Sequence, residues 1–362
     1  MSAAVIDPVL ATLFAPLRDG TLGLPESGRS LFLRARPTPD LRMFGDDLVC
    51  EQGFKPYADD LASFGCPINF ARPEERFDLV LLLPSRQRDE TRAVLVEAAL
   101  RVHEQGTIVM AAANNEGARS LLADAAQLLG GVQVISANKC RAIWSLAANR
   151  QIDPTLVQSW TAAMAPREIP EIAFAAVPSP GIPMLSMPGV FSWDRIDRGS
   201  ALLATHLPAD LAGIGADLGA GGGYLSACML QRCPHIGALH LYEADRRALQ
   251  LAQENMQAEV EAQSSRVVAL DYFWHDVTLG LPQRYDFIVS NPPFHSGRAD
   301  QPDIGRAFIR AAAGALRPGG RLWMVANRHL PYEAELRHVF SEVHKRAEAE
   351  GFKVFEAIAG GL

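Results

Sequence analysis

The chain has 362 residues, of which 48% are hydrophobic and 21% are charged, and its formal net charge is -7. This length exceeds what one hydrophobic core usually organises, so two domains are expected. The composition excludes a disordered or fibrous protein, and the acidic balance argues against broad non-specific adhesion to nucleic acids, which requires a basic surface.

The five cysteines are odd in number and lack the spacing of a metal site. Residues 1–10 contain no basic segment followed by a long apolar run, and no apolar run approaches the roughly 18 residues that a membrane-spanning helix needs. We therefore expect a cytoplasmic protein with no bound metal and no membrane partner. We expect it to be a monomer.

In the first half, residues 77–83 are predicted to form a buried strand that starts with an aromatic residue and Asp78 and stops at Pro84. Apolar residues at helical spacing predict a helix over residues 92–102, and a second strand is predicted from Gly106. Short buried strands that alternate with helices are typical of a mostly parallel sheet covered on both faces.

Residues 166–188 are rich in proline and have no regular apolar period. Such a stretch is too irregular for a helix and too interrupted for a central strand. We place the domain boundary here, which predicts domains at residues 1–165 and 166–362.

The second half repeats the pattern of the first. Residues 285–292 again run from an aromatic residue and an aspartate, Asp286, through apolar residues to a proline, and a helix over residues 304–316 and a strand from Gly320 are predicted to follow. Any two α/β halves share a strand–helix–strand rhythm, but we favour a duplication.

A glycine-rich turn is predicted at residues 214–223, between an extended segment and a helix over residues 224–232. Glycines such as Gly219 and Gly221 let the chain turn with positive φ and let a ligand lie directly against the backbone. A purely structural turn would also contain such glycines, so this pattern needs support from other residues.

Acidic residues follow the next two predicted strands. Glu243 comes about 20 residues after the turn, where α/β folds place the carboxylate that binds ribose hydroxyls. Asp245 is better explained as the N-cap of the following helix. Asp276 either meets an adenine amino group or is a turn residue before Val277. A nicotinamide-dependent dehydrogenase would explain the glycine turn and Glu243 equally well.

The strand over residues 285–290 ends directly in Asn291-Pro292-Pro293-Phe294. An open parallel sheet places its active site at this edge. The two prolines stiffen the loop and have no N–H to donate, so the Asn291 side-chain oxygen and the Pro292 carbonyl can each accept one hydrogen of a planar NH2 group. A proline turn capped by asparagine is the alternative, and the glycine turn and Glu243 in the correct order argue against it.

These acceptors suit the methylation of a poorly nucleophilic amine. Accepting both hydrogens orients the nitrogen lone pair toward a methyl donor and stabilises the charge that develops on nitrogen. Phe294 offers a flat face on which an extruded base can stack. The pattern therefore predicts a methyltransferase that uses S-adenosylmethionine and acts on a planar amino group.

From about Pro188 to its C-terminus, the chain resembles the bacterial small-subunit ribosomal RNA guanine-N2 methyltransferases of the C type. The resemblance is carried by residues 188–192, Asp197 with Gly199 and Ser200, the loop at 217–223, residues 290–295, and the segments 325–327 and 330–332. It implies two tandem Rossmann-like class I methyltransferase domains in an α/β chain, of which the N-terminal one is degenerate. It also implies ribosomal RNA or a ribosomal subunit as the partner.

The functional residues that follow from the motifs and this resemblance fall into three groups. The catalytic residues are Asn291, Pro292 and Phe294. The cofactor-binding residues are Asp217, Gly219, Gly221, Glu243, Asp276 and Asn291. The substrate-binding residues are Phe191, Phe294 and Arg298.

The first half is expected to bind no cofactor and to position the substrate. It has only the isolated glycines Gly45 and Gly53 where a cofactor loop would lie, and Leu83-Pro84-Ser85 where the amine-binding motif would be.

Three alternatives remain. Arg328-His329 resembles the related large-subunit enzymes, which would make 23S rRNA the substrate. A protein glutamine N5-methyltransferase would need the same motif, although such enzymes typically have tyrosine in place of Phe294. A cofactor-binding module without catalysis is opposed by the intact motif. Around the motif the sequence concentrates Arg298, Arg306, Arg310, Arg317, Arg321 and Arg328. Such a rim of arginines, Arg298 first among them, suits contacts to phosphates, although a solvated helix face would also explain Arg306, Arg310 and Arg317.

Overall fold

The computed structural model describes residues 7–25, 28–169, 182–262, 267–293, 295–296, 299–300 and 302–361. The chain divides into two compact units, Met1–Ala165 and Pro166–Leu362, called unit 1 and unit 2 below. Each unit has its own sheet and its own hydrophobic core.

The described residues of unit 1 form six strands and six helices. The strands are β1 (Ser30–Leu33), β2 (Leu48–Glu51), β3 (Phe77–Leu82), β4 (Val102–Ala113), β5 (Gln133–Ala137) and β6 (Cys140–Ser145), and the helices are α1 (Pro8–Leu13), α2 (Ala15–Arg18), α3 (Lys55–Ser63), α4 (Arg88–Arg101), α5 (Ala118–Leu129) and α6 (Pro154–Ala163). The sheet order is β2-β1-β3-β4-β6-β5. Strands β1 to β4 are parallel, β6 runs antiparallel to β4, and β5 runs antiparallel to β6. Short 3-10 segments cover Pro39–Asp47, Asn114–Glu116 and Ala147–Asn149.

Unit 2 extends the same plan. Its strands are β7 (Arg167–Ile169), β8 (Met184–Ser186), β9 (Ala212–Leu218), β10 (His235–Glu243), β11 (Ala269–Trp274), β12 (Tyr285–Ser290), β13 (His295–Ser296), β14 (Ala299–Asp300), β15 (Leu316–Asn327), β16 (Glu342–Ala349) and β17 (Phe352–Ile358). Its helices are α7 (Arg198–His206), α8 (Tyr224–Arg232), α9 (Arg246–Ala262), α10 (Pro302–Ala315) and α11 (Glu333–Val339), and a 3-10 segment covers Val277–Leu279. The main sheet has the order β11-β10-β9-β12-β15-β17-β16, and β7–β8 and β13–β14 form separate antiparallel pairs.

Both sheets are covered on both faces, which explains why their strands are almost continuously apolar. In β12, Phe287 and Val289 pack on the side of α7, α8 and α9, whereas Ile288 packs on the side of α10 and α11. In unit 1, the two faces are covered by α4, α5 and α6 and by α1, α2 and α3. The predicted α/β class with two Rossmann-like units is confirmed.

The duplication is visible in matched positions of the two sheets. Strands β4 and β15 both have 12 residues and the same pattern of buried and exposed positions. A Cβ atom added to Gly28 would overlap the carboxylate of Asp78, and one added to Gly213 would overlap that of Asp286. The aspartate in the second position of each repeated strand therefore lies against a glycine, which is two residues before β1 in unit 1 and within β9 in unit 2.

Two further searches cover the described residues only. None of their helices combines the length and the apolar character needed to cross a bilayer. They also include no group of three or more His, Cys, Asp or Glu side chains suited to holding a metal ion.

Candidate active site

The glycine turn follows β9 at the carboxyl edge of the unit 2 sheet. The φ angles of Gly219, Gly221 and Gly223 are +71°, +55° and +89°, and residues other than glycine rarely adopt this region. A Cβ atom at Gly221 would meet nothing within 4 Å. The turn therefore offers bare backbone to a ligand and leads directly into α8.

Glu243, the last residue of β10, is bonded to this turn. Its Oε2 accepts a hydrogen bond from the Gly221 N–H at 2.8 Å, and its Oε1 accepts one from the Asp245 N–H at 2.8 Å. Burial raises the pKa of Glu243, and these two hydrogen bonds oppose the rise. Asp245 in turn accepts a hydrogen bond from the Arg247 N–H at 2.9 Å, as expected of a helix cap.

Asp217 is fully buried behind the turn. Its Oδ2 accepts a hydrogen bond from the Ser226 hydroxyl of α8 at 2.7 Å, whereas its Oδ1 has no partner among the described residues. Burial raises the pKa of Asp217 to about 7, and the nearby charge of Glu243 adds to this effect. A buried acceptor without a donor is costly, so this oxygen suits a cationic or hydrogen-donating ligand group.

Asn291 follows β12, directly beside the turn. Leu218 of β9 pairs with Ser290 of β12, so Gly219 and Asn291 leave neighbouring parallel strands at the same level. The Asn291 Nδ2 donates to Asp197 Oδ2 and to Ser200 Oγ, at 2.8 Å each. Its Oδ1 is buried and has no partner among the described residues.

A cleft opens at this edge of the sheet. It is lined by the backbone of the glycine turn and by Asn291, Asp197, Ser200 and Phe191, among others. The backbone of Gly219 and Gly221 in the cleft lining, with the Glu243 carboxylate bonded to the Gly221 N–H, fits an amino-acid-linked nucleoside such as S-adenosylmethionine.

The structure brings most of the predicted residues to this region. Gly219, Gly221, Asn291 and Phe191 line the cleft, and Phe191 is 62% exposed. Asp217 and Glu243 support the turn and are not among the described residues that line the cleft. Pro292 is buried directly after Asn291. Phe294 and Arg298 lie outside the described residues.

Asp276 begins the 3-10 segment Val277–Leu279. Its Oδ1 accepts hydrogen bonds from the N–H and the hydroxyl of Thr278, at 2.9 and 2.6 Å. This is the geometry of the turn residue that the sequence offered as one of two interpretations. A role of Asp276 in adenine binding stays a prediction.

The arginines around the motif are engaged in ion pairs. Arg306 and Arg310 of α10 pair with Asp303 and Glu335. Arg317 pairs with Asp286 near the start of β12, and Arg321 pairs with Asp210 before β9. These last two arginines lie at the edge of the sheet opposite Asn291, so their interpretation as a rim around the motif is wrong.

Sequence reasoning missed the role of Asn255 on α9. Its Nδ2 donates to the Gly222 carbonyl at 2.8 Å and its Oδ1 accepts from the Leu185 N–H at 2.8 Å, which ties the glycine turn to β8. The only signal was an asparagine on the buried face of an amphipathic helix, which is weak evidence because exposed asparagines are far more common.

The residues of this site lie within the region that a family model matches. The methyltransferase small domain family model matches residues 181–356. The ribosomal RNA small subunit methyltransferase C of Shewanella amazonensis is 29% identical over 290 residues, covering 78% of this chain and 77% of that relative. The protein of the same name from Shewanella halifaxensis is 33% identical over 184 residues, half of each chain.

A solved structure extends the similarity to both units. The T. thermophilus 16S rRNA N2 G1207 methyltransferase, in complex with AdoMet and guanosine, matches with a TM-score of 0.78 and 25% identity, covering 98% of this chain and 92% of that one. The fold is thus that of two tandem class I methyltransferase domains. The chain is thus similar over most of its length to ribosomal RNA small subunit methyltransferases C, and its residues 181–356 match the methyltransferase small domain family.

Proposed function

We propose that the chain transfers a methyl group from S-adenosylmethionine to the exocyclic N2 amine of a guanine in 16S ribosomal RNA. One observation carries this proposal. The Asn291 amide is immobilised beside the glycine turn with its nitrogen fully bonded and its oxygen unpaired. Its oxygen is therefore available to accept a hydrogen bond from a planar donor group.

The cofactor supplies an electrophilic methyl group. Gly219 and Gly221 offer backbone against which it lies, and Glu243 accepts hydrogen bonds from its ribose hydroxyls. Asp217, one of whose oxygens lacks a donor, balances the positive charge of its amino-acid part. Asp276 meets the adenine amino group through the oxygen that Thr278 leaves unused.

The target amine is held by acceptors. Asn291 Oδ1 and the Pro292 carbonyl take the two hydrogens of the guanine NH2, which aligns the nitrogen lone pair with the methyl group and stabilises the developing charge. Phe294 and Phe191 stack on the extruded base. Arg298 contacts a nearby phosphate.

The target nucleotide is the one equivalent to G1207. The T. thermophilus relative is named for that position and matches nearly all of this chain. Unit 1 binds no cofactor and positions the RNA. The protein acts as a monomer in the cytoplasm, which light scattering of the purified chain and fractionation of cells would check.

The function is tested with labelled cofactor. The purified chain is incubated with methyl-labelled S-adenosylmethionine and with 30S subunits, free 16S rRNA, 50S subunits or release factors. All substrates come from cells that lack the gene for this protein. We expect label in 16S rRNA, recovered after nuclease digestion as N2-methylguanosine at the position equivalent to G1207. Label in 23S rRNA alone, or in protein alone, would contradict the proposal.

A further inference from the structure

Asn291 has a side chain whose two ends are almost equal in shape but opposite in chemistry. Only the carbonyl oxygen can accept a hydrogen from a target amine, because the NH2 end is a donor. A rotation of the amide by half a turn would present the wrong end. The reaction proposed above therefore needs something that fixes the amide in one orientation.

Two residues at the start of α7 meet this need, its N-cap Asp197 and Ser200 in its first turn. Asp197 Oδ2 and Ser200 Oγ each lie 2.8 Å from Asn291 Nδ2, so both amide hydrogens are used. A carboxylate only accepts hydrogen bonds, and a rotated amide would set its oxygen against this charge. Charge-assisted hydrogen bonds are also the stronger kind, so the observed orientation is strongly favoured.

Asp197 is itself held in place by the start of α7. The same Oδ2 accepts the Ser200 N–H at 2.8 Å and thereby caps the helix. The helix is anchored in the core, since Ala201, Leu202 and Leu203 are buried. The Asn291 amide is thus held by the anchored start of α7, where Asp197 lies 94 residues away in the sequence.

We propose that Asp197 and Ser200 are positioning residues that hold the Asn291 oxygen ready for the target amine. The inference rests on the proposed amine methylation. It assigns to Asp197 a second role in addition to helix capping, and the two roles are separable because they make different demands on the side chain.

The test compares Asp197→Ser with Asp197→Asn. Serine, asparagine and aspartate cap helices about equally well, so both variants keep α7 and should melt close to the wild type. The asparagine variant still places an oxygen within reach of Asn291, whereas the shorter serine does not. We expect kcat for methylation of 30S subunits to fall on the order of a hundredfold in Asp197→Ser and only a few-fold in Asp197→Asn, with the KM for 30S subunits little changed.

Ser200→Ala provides a second variant, because it removes one acceptor and leaves the capping N–H intact. We expect an intermediate loss of kcat, about tenfold. In the background of Asn291→Ala, by contrast, Asp197→Ser should cost almost nothing further, since residues that act through one another are not additive.

A spectroscopic readout is independent of activity. In protein labelled with ¹⁵N-asparagine, the side-chain amide of Asn291, assigned by its disappearance in Asn291→Asp, should exchange slowly with water in the wild type and quickly in Asp197→Ser.

Equal kcat and equal amide exchange in Asp197→Ser and the wild type would overturn the inference. Failure of the wild type itself to methylate any RNA would instead overturn the proposed function, so the two failures are distinct.

Discussion

The carboxyl edges of the two sheets carry different residues at corresponding positions. Leu33 of β1 pairs with Leu82 and Glu51, as Leu218 of β9 pairs with Ser290 and Tyr242. This register assigns each residue of the unit 2 site a counterpart in unit 1. The pairs are Asp217 and Phe32, Gly219 and Arg34, Glu243 and Gln52, and Asn291 and Leu83.

The first residue of the unit 1 turn keeps a positive φ, but it carries a side chain where unit 2 has a glycine. Arg34 has a φ of +56°, close to that of Gly219, and its guanidinium pairs with Glu90, which also accepts a hydrogen bond from Ser85. Gly45 lies in the 3-10 segment and Gly53 follows Gln52. The interpretation of these two glycines as the place of a cofactor loop is therefore wrong.

Gln52 shows which part of Glu243 the fold requires. Its Oε1 accepts from the Phe54 N–H at 2.9 Å, as Glu243 Oε1 accepts from Asp245, and its Nε2 donates to the Ala35 carbonyl at 2.7 Å. A neutral amide thus fills the same structural position. Unit 1 thus forms the equivalent hydrogen bond to the following backbone without a charge at this position, which supports the assignment of the Glu243 carboxylate to a ligand.

Replacing Asn291 with the residue of unit 1, as Asn291→Leu, should have the largest effect. Loss of a group that stabilises transition-state charge typically costs roughly 10²–10³ in rate, and we expect such a drop in kcat for 30S subunits at saturating S-adenosylmethionine. The matched control Leu83→Met should keep full activity. A similar loss in that control would assign unit 1 a catalytic role.

Gly219→Arg gives unit 2 the turn residue of unit 1. A side chain at Gly219 would crowd Phe308 and cover the surface on which the cofactor lies, so we expect affinity for S-adenosylmethionine to fall about a hundredfold by calorimetry, roughly 3 kcal/mol. The reciprocal Arg34→Gly should leave the stoichiometry at one cofactor per chain. A second bound cofactor would show that Arg34 alone disables unit 1.

Asp217 should make the stability of unit 2 depend on pH, whereas Phe32 cannot do so for unit 1. Its pKa is about 7 in the folded chain against an ordinary value of 3.8, so the folded state keeps a proton that the unfolded state releases between these values. Stability therefore falls as pH rises from about 4 to about 7. Between pH 5 and pH 8 the loss is about 2 kcal/mol.

The measurement is the melting temperature of the wild type and of Asp217→Asn without cofactor. The variant should be the more stable, and its advantage should widen from pH 5 to pH 8. A constant difference would mean that Asp217 ionises normally.

Glu243→Gln should have the smallest effect of the four, since the amide can keep one backbone hydrogen bond and loses only the charge. We expect cofactor affinity to fall about tenfold, consistent with one hydrogen bond to a charged group. Gln52→Glu is the control and should leave cofactor affinity unchanged while it lowers the melting temperature, because its carboxylate would face the Ala35 carbonyl. Unchanged affinity in Glu243→Gln would remove this carboxylate from the cofactor site.

Sequence patterns predicted the local features of the chain well. The strand Tyr285–Ser290 and the helix Tyr224–Arg232 have the predicted bounds, because an abrupt change from apolar residues to glycine or proline marks their ends. The glycine turn, Glu243 and Asn291 were likewise found through residue type and spacing.

Contacts between distant segments were beyond the sequence. The bond between Asp197 and Asn291 joins a helix cap to a strand end, and neither residue alone indicates the other. The corresponding turn of unit 1 was predicted at the wrong residues, because nothing in the sequence indicates that an arginine such as Arg34 adopts a positive φ. Both depend on tertiary packing, which local propensity does not encode.

The close packing of a glycine against an aspartate at the amino ends of the two sheets has a consequence for tracing ancestry. Gly28 with Asp78 and Gly213 with Asp286 persist as matched pairs, although the ligand-facing positions at the other end have diverged completely. Selection for assembly and selection for chemistry have therefore acted on opposite ends of the same strands. Remote, inactive relatives of such domains should be sought through this pair, since a search for the glycine turn would overlook every copy that no longer needs it.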